Sequence, residues 1–265
     1  MVTTSSGASW PWSFLRIAHR GAPGRAAENS LRGFLLAMTL GADMVETDVR
    51  VTADGALVLA HDDVMKVPGQ QPVQIAGTTL ATLRRVALDG EPPATLSEAL
   101  DLRHHGAPLA FNLDIKTCDM ARVLVRALRD AGRREGILLT GQALGTFTAV
   151  RAAEPWVCAA LTCSAGKRAA PARALARALP AVGGPLLGLQ LATAARRARI
   201  GAVTLEHPLA TPETVRVCHH AGLRVLVWTV DDPVHMRALR AAGVDGITTN
   251  CVDLLAALDT HQALG

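Results

Sequence analysis

Short apolar segments alternate with helical patterns along most of the chain, and this alternation restricts the folds that the chain can adopt. Each segment has the length of a buried strand and is followed by apolar residues at the three- and four-residue spacing of a helix. Strands that alternate with helices form parallel sheets, because a parallel pair needs a long crossover connection. The predicted strands span residues 14–19, 43–50, 108–115, 136–140, 157–163, 202–206, 224–230 and 246–250.

Eight such units in 265 residues predict one α/β domain, a closed (β/α)8 TIM barrel. A barrel of this kind commonly takes about 250 residues. A doubly wound open sheet is the competing fold, but no glycine-rich dinucleotide fingerprint supports it. We expect a tail at 1–13 and the barrel over 14–265, with a short insertion at about 63–94 that is rich in proline and glycine. A short helix is expected within that insertion, at 79–87.

Two further segments carry specific expectations. Thr95 and Glu98 form a capping-box pattern, which predicts a helix from Thr95 to about His105. Residues 186–200 are expected to form a second helix or a loop insertion after the fifth strand. Residues 186–191 alone have the apolar content of a strand, so both interpretations stay open.

Composition excludes several functional classes. The net charge is +4, but the arginines are scattered and no basic run contains interleaved aromatic residues, so nucleic-acid binding is not expected. The five cysteines show no metal-ligand spacing and are interpreted as reduced thiols. No signal-peptide pattern and no apolar run of about 20 residues is present. The expected protein is cytoplasmic and without a transmembrane segment, and a homo-oligomer is possible.

Polar residues gather at the ends of the first strands. His19 ends the first strand, and His61 follows a short strand at 56–60. Glu46 and Asp48 share one face of the second strand, since strand side chains alternate between faces. Histidines suit acid–base chemistry because their usual pKa lies near neutrality. The alternative is structural: isolated strand-end histidines, with the two carboxylates held by arginines such as Arg20.

A second polar group lies on the third strand, where Asn112, Asp114 and Lys116 share one face and the opposite face is apolar. Charged groups inside a barrel need compensation, which a divalent cation and a bound anion would provide. An internal ion pair between Asp114 and Lys116 is the simpler alternative.

Several motifs resemble those of the glycerophosphodiester phosphodiesterase family, whose members are TIM barrels of the phosphatidylinositol-phosphodiesterase type. The matching segments are His19-Arg20-Gly21, Glu28-Asn29, Gly41-Ala42-Asp43, Val45-Glu46-x-Asp48-Val49, Asp54-Gly55 and His61-Asp62. Weaker matches are the acid-x-Lys segment at 114–116, the Trp-Thr pair at 228–229 and residues 243–250. Their order and spacing agree over nearly the whole chain.

The resemblance implies a role for each matching residue. The implied site has catalytic histidines His19 and His61, phosphate-binding Arg20 and Lys116, metal ligands Glu46, Asp48 and Asp114, and substrate-pocket residues Trp228 and Glu28. Oxygen ligands without a nearby cysteine favour one divalent cation, Mg²⁺ or Ca²⁺.

Three of these positions have a qualification. Asp114 stands where the family usually has glutamate. Glu28 and Asn29 also fit ordinary helix capping. Asn250 stands where the family usually has aspartate, and we interpret its segment as a structural strand that closes the barrel.

The implied activity is metal-dependent hydrolysis of glycerophosphodiesters to glycerol 3-phosphate and an alcohol, by two-histidine acid–base catalysis. The short insertion predicts an open site that admits small phosphodiesters and lysophospholipids. One alternative is a lysophospholipase D or sphingomyelinase D-like phosphodiesterase that forms a cyclic phosphate. Another is a barrel that binds phosphodiesters without cleaving them.

Overall fold

Parallel strands close into a barrel in the computed structural model, which describes residues 14–66, 71–85, 91–166 and 171–262. Within these residues eight barrel strands pair in sequence order, and the last pairs with the first. Strands β1–β8 are Leu15–His19, Met44–Val51, Phe111–Ile115, Ile137–Gly141, Cys158–Cys163, Ala202–Glu206, Arg224–Trp228 and Gly246–Thr249. The predicted single (β/α)8 barrel is confirmed.

Helices cover the outside of the barrel. The helices α1–α10 are Leu31–Thr39, Leu80–Leu83, Leu96–Leu100, Cys118–Asp130, Leu144–Ala153, Pro171–Ala178, Pro180–Ala198, Pro212–His220, Pro233–Ala241 and Val252–Gln262. The long helix α7 includes residues 186–191, so the strand alternative for that segment is wrong. No helix in the described ranges is long and apolar enough to cross a membrane.

The capping box at Thr95 is present, but its helix is shorter than predicted. The Thr95 hydroxyl accepts a hydrogen bond from Glu98 N, and the Glu98 carboxylate accepts one from Thr95 N. The helix ends at Leu100 rather than near His105. His105 and Gly106 have φ angles of 49° and 79°, and they form the turn of a small hairpin. Two successive left-handed residues suit a tight hairpin and end a right-handed helix.

Alternation along the strands separates an apolar exterior from a layered interior. In β2, Val45 and Val49 belong to the core between strands and helices. Met44 faces inward and lies in the apolar floor of the barrel. Glu46 and Asp48 follow it on the same face, one layer and two layers nearer the carboxyl end of the strand. The carboxylates are therefore lifted above the floor towards the open end.

The insertion between β2 and β3 packs as a small unit in its described parts. Strand Leu57–Leu59 pairs antiparallel with β2, and Val64–Met65 pairs with Val73–Gln74. The side chains of Val58, Met65, Ile75 and Leu83 form a separate apolar cluster. Residues 1–13, 67–70 and 86–90 lie outside the described residues, so the proposed tail and the full insertion stay predictions.

Candidate active site

A pocket of about 190 Å³ opens at the carboxyl ends of the barrel strands. This is the end at which TIM barrels carry their chemistry, because the loops after the strands converge there. Eight of the nine predicted site residues line it: His19, Arg20, Glu46, Asp48, His61, Asp114, Lys116 and Trp228. Glu28 is not among the lining residues. The strand register explains the grouping, since Glu46 lies beside Asn112 and Asp48 beside Asp114 on adjacent strands.

The acidic residues of the pocket are paired with two cationic side chains. Lys116 Nζ lies 2.6 Å from Asp48 Oδ1 and 2.5 Å from Asp114 Oδ2. Arg20 Nε lies 3.2 Å from Asp48 Oδ2, and Arg20 N donates to Glu46 Oε2 at 3.1 Å. The ion pair between Asp114 and Lys116, considered as the simpler alternative, is therefore present.

Charge in this cluster is not balanced by those contacts. Burial, with the nearby Asp48 and Asp114 carboxylates, raises the pKa of Glu46 well above its usual value. Burial also opposes the charge on Lys116, but Asp114 and Asp48 outweigh it and raise the pKa of that ammonium. Three carboxylates thus share two side-chain cations, and a further cation would relieve the repulsion at Glu46.

The donor set fits a hard divalent cation in its chemistry. All three side chains offer carboxylate oxygens, the ligands that Mg²⁺ and Ca²⁺ prefer. Asp48 Oδ2 is buried and has no hydrogen-bond partner among the described residues, although Arg20 forms an ion pair with it. Across all the residues that the structure describes, no three His, Cys, Asp or Glu side chains are arranged to hold a metal ion. A cation would therefore have to displace Lys116 from at least one of its two carboxylates.

His19 lies at the end of β1 and is held from behind by Asn250. Its Nδ1 is 2.7 Å from Asn250 Oδ1, and its Nε2 is 3.9 Å from Glu46 Oε2. Burial lowers the pKa of His19 below its usual value and outweighs the opposing effect of the Asn250 hydrogen bond. The sequence predicts the segment of Asn250 as a structural strand that closes the barrel, and the contact with His19 adds to that prediction. The family's usual aspartate at that position was the available signal.

His61 reaches the pocket from the other side, after strand Leu57–Leu59. Its side chain is 42% exposed, and Nδ1 is 2.8 Å from Asp62 Oδ1. The Arg50 guanidinium donates to the main-chain carbonyl of His61, which fixes the loop that presents the imidazole. Both histidines thus have Nδ1 engaged by a neighbouring oxygen.

Glu28 lies at the rim, where Arg20 Nη1 contacts its carboxylate at 3.0 Å. Neither Glu28 nor Asn29 caps the helix, because the Ser30 hydroxyl accepts from Gly33 N and begins α1. Asn29 is instead buried with a φ of 56°, and its Oδ1 accepts a hydrogen bond from Thr47 Oγ1 at 2.7 Å. The capping interpretation of these two side chains is wrong.

Small polar side chains complete the interior, and all of them except Asn112 and Thr229 were absent from the residues predicted from the sequence. They are Asn112, Thr140, Gln142, Thr162, Thr204, Thr229 and Thr248. Within the described residues, Thr162 Oγ1 and Trp228 Nε1 are buried without a hydrogen-bond partner. Buried polar atoms are nearly always paired, so these two groups are available to a bound ligand. The sequence gives little indication of these small polar residues, because most of them are single threonines at inward positions near strand ends.

Comparison with known proteins agrees with this geometry. The model of the glycerophosphoryl diester phosphodiesterase family matches residues 19–254. A Mycobacterium tuberculosis protein named "Probable glycerophosphodiester phosphodiesterase 2" is 30% identical over 261 residues, which cover 91% of this chain and 89% of that protein. A glycerophosphodiester phosphodiesterase of Caldanaerobacter subterraneus is 27% identical over 252 residues, 89% of this chain and 93% of that protein.

Solved structures share the fold. An Oleispira antarctica phosphodiesterase, solved in complex with the product sn-glycerol-3-phosphate, superposes with a TM-score of 0.76 at 21% identity. That match covers 92% of this chain and 96% of the other. A glycerophosphodiester phosphodiesterase of Thermotoga maritima gives a TM-score of 0.73 at 22% identity, over 92% and 98%. The chain therefore belongs to the glycerophosphoryl diester phosphodiesterase family and is a phosphodiesterase enzyme, as its motifs predicted.

Proposed function

We propose that this enzyme hydrolyses glycerophosphodiesters to sn-glycerol 3-phosphate and an alcohol, with one divalent cation and two catalytic histidines. The observation that carries the proposal is a single pocket that joins two imidazoles, three carboxylates and two cationic side chains. Phosphodiester hydrolysis needs proton transfer to and from oxygen and positive charge where the phosphorus oxygens gain negative charge, and these groups can supply both.

Each residue of the pocket has a role in this proposal. His19 and His61 exchange protons with the attacking nucleophile and the leaving alkoxide. Arg20 and Lys116 hold the phosphate oxygens. Glu46, Asp48 and Asp114 would hold Mg²⁺ or Ca²⁺, which when bound supplies Lewis-acid stabilisation of the phosphoryl oxygens. Lys116 contacts Asp48 and Asp114 and would be free to turn towards a phosphate oxygen if a cation took its place at one of these carboxylates.

The size of the pocket bears on the substrate. At about 190 Å³ it is smaller than the roughly 300–1,000 Å³ of pockets that enclose drug-sized ligands. We therefore assign it to the glycerophosphate half of the substrate, with Trp228 against the glycerol or the first atoms of the alcohol. The rest of the alcohol lies outside, where a short insertion leaves space for a lysophospholipid as well as for choline.

The test is an activity screen of EDTA-treated protein on glycerophosphocholine, glycerophosphoethanolamine and lysophosphatidylcholine, with Mg²⁺ and Ca²⁺ added back separately. We expect no turnover without metal, turnover of the small diesters with one of the two cations, and turnover of the lysophospholipid as well. Cleavage of small diesters alone would refute the open-site proposal. Full activity after EDTA treatment would refute the metal proposal.

A second candidate is a phosphodiesterase that forms a cyclic phosphate, and Asp114 in place of the family's usual glutamate is compatible with it. ³¹P NMR of the first product separates the two reactions, since a cyclic phosphate that persists supports the second. His61→Ala should abolish the hydrolysis that the wild-type protein performs, since the proposal gives this histidine a proton-transfer role. Undiminished hydrolysis by His61→Ala would overturn the assignment of that histidine.

A further inference from the structure

Asn250 joins His19 to a carboxylate on the loop that follows β7. Its side-chain nitrogen Nδ2 donates to Asp231 Oδ2 at 2.7 Å, and its main-chain nitrogen donates to Asp231 Oδ1 at 2.8 Å. Thr249 Oγ1 donates to the same Oδ1 at 2.9 Å. The Asp231 carboxylate therefore accepts three hydrogen bonds from the end of β8, and it holds Asn250 through two of its atoms.

These contacts fix which way the Asn250 amide points. A carboxylate only accepts hydrogen bonds, so the NH₂ group of Asn250 has to face Asp231. The reverse orientation would place an amide oxygen against a carboxylate oxygen. The Asn250 oxygen is therefore turned towards His19, where it lies 2.7 Å from Nδ1.

The orientation of the amide in turn fixes the protonation pattern of the imidazole. The Asn250 oxygen has no proton to give, so the hydrogen bond requires that His19 Nδ1 carries one. In a neutral ring the other nitrogen, Nε2, is then left with its lone pair. Nε2 is the nitrogen on the pocket side of the ring, 3.9 Å from Glu46 Oε2.

We infer that Asn250 and Asp231 are positioning residues that hold His19 as the Nδ1-protonated tautomer and present Nε2 as its reacting nitrogen. The inference rests on the proposed function, in which His19 transfers a proton. Neither Asn250 nor Asp231 lines the pocket, so both act through the imidazole rather than on the substrate.

The chemistry also explains why an amide suits this position. Asn250 accepts from His19 and donates to Asp231 at the same time. An ionised aspartate at position 250 would offer no side-chain donor, and it would face the Asp231 carboxylate at hydrogen-bond distance. Like charges that close repel, so the aspartate would lose one contact and strain the other.

The tautomer is measured directly by ¹⁵N–¹H NMR of histidine-labelled protein, with His19 assigned by its loss in His19→Gln. The spectra are recorded at a pH at which the imidazole is neutral. We expect a protonated Nδ1 and an unprotonated Nε2 in the wild-type protein. Asn250→Leu, which removes both hydrogen bonds, should shift His19 towards the Nε2-protonated form. A wild-type His19 with its proton on Nε2 would overturn the inference.

Kinetics provide the second measurement. Asn250→Leu should lower kcat by about 10²-fold, within the range that a misplaced acid–base group costs, and leave KM within about twofold because the pocket wall is intact. Asp231→Asn, which allows the Asn250 amide to turn over, should act in the same direction and serves if Asn250→Leu does not fold. A shifted tautomer with unchanged kcat would refute the positioning role.

Asp253→Asn is the matched control. It makes the same aspartate-to-asparagine change as Asp231→Asn, and it lies three residues after Asn250. The Asp253 side chain pairs with Arg25 at the surface. We expect unchanged spectra and unchanged kinetics. If the wild-type protein cleaves no glycerophosphodiester, the proposed function fails, while the NMR spectrum still decides whether Asn250 sets the tautomer.

Discussion

The ammonium of Lys116 lies 2.5 Å from a carboxylate oxygen of Asp114, which is two positions earlier on the same strand face. The same ammonium contacts Asp48 Oδ1 on the adjacent strand, at 2.6 Å. The family resemblance implies that Lys116 binds phosphate and that Asp48 and Asp114 bind metal. In the structure, however, Lys116 contacts both of these carboxylates. The divalent cation that we propose would compete with Lys116 for these oxygens, and such competition can be measured.

Lys116→Met should raise the affinity of the substrate-free protein for Mg²⁺ or Ca²⁺, because Asp114 loses its contact with Lys116 and Asp48 keeps only its contact with Arg20. The same variant should lose about 10²-fold in kcat/KM, the cost of removing a preorganised group that stabilises charge in the transition state. Isothermal titration and steady-state kinetics check the two effects. Asp114→Asn is the companion variant, with weaker cation binding expected. Weaker cation binding by Lys116→Met would contradict the competition.

Glu28→Gln should change kcat/KM by less than about fivefold, because exposed ion pairs contribute about 0–1 kcal/mol. The Glu28 side chain is 52% exposed and contacts Arg20 at the rim. Arg20→Gln, which also removes the contact to the buried Asp48, should be far more damaging. Steady-state kinetics on one diester distinguish the two variants. A loss of more than about 100-fold in Glu28→Gln, about 2.7 kcal/mol, would place Glu28 in the catalytic machinery.

Trp228 should contribute to binding through both its ring and its indole N–H, which has no partner in the described residues. Trp228→Phe keeps an aromatic wall and removes the donor, so KM should rise by about two- to tenfold, the worth of one hydrogen bond. Trp228→Ala removes both and should raise KM further. The comparison is made with glycerophosphocholine at fixed metal. Equal KM values in all three proteins would exclude Trp228 from the substrate contact.

Asp245 should stabilise the fold through contacts far from the pocket. Its carboxylate accepts from Val225 N at 2.7 Å and pairs with Arg224 at 2.6 Å and His219 at 2.8 Å. Burial opposes ionisation, but these hydrogen bonds outweigh it and lower the pKa of Asp245 below its usual value. The ionised form therefore stabilises the folded state above the unfolded-state pKa, and this contribution is lost as pH falls through the lower folded-state pKa.

Asp245→Asn should accordingly reduce the free energy of unfolding at pH 7 by about 2–3 kcal/mol, since it breaks a buried charge network. The difference from wild type should shrink below a pH of about 4. Urea denaturation at both pH values measures it. Asp130→Asn, which alters an exposed pair with Arg126, is the control and should show no measurable change. A difference that grows as pH falls would contradict the sign of the pKa shift.

The barrel and most of the pocket were predictable because the signals are local. Alternation along Met44–Val51 places Glu46 and Asp48 inside and Val45 and Val49 outside, and the structure has them so. The helix at Thr95 was predicted too long, because its capping box specifies where a helix begins and says nothing of where it ends. The chain beyond Leu100 turns instead into a small hairpin, in which Arg103 and His104 pair with Pro108 and Ala107.

The contact between His19 and Asn250 was not predictable from local pattern, because 231 positions separate the two residues along the chain. Only the register between β1 and β8, in which Ala18 lies beside Thr249, brings them together. The pairing of Lys116 with two carboxylates depends on side-chain rotamers. A sequence specifies that the three groups share a face, and it leaves open which of them meet.

Closure of the barrel has a consequence for how the enzyme acquires its activity. His19 lies at the end of the first strand, and Asn250, whose amide orients it, directly follows the last strand. A folding intermediate in which every strand but the last has docked would be compact yet less active by about 10²-fold, the loss expected for Asn250→Leu, because its imidazole would be free to carry the proton on the wrong nitrogen. The rate at which diester hydrolysis returns during refolding therefore measures how fast the last strand docks. It follows the pairing of β1 with β8 without any spectroscopic label.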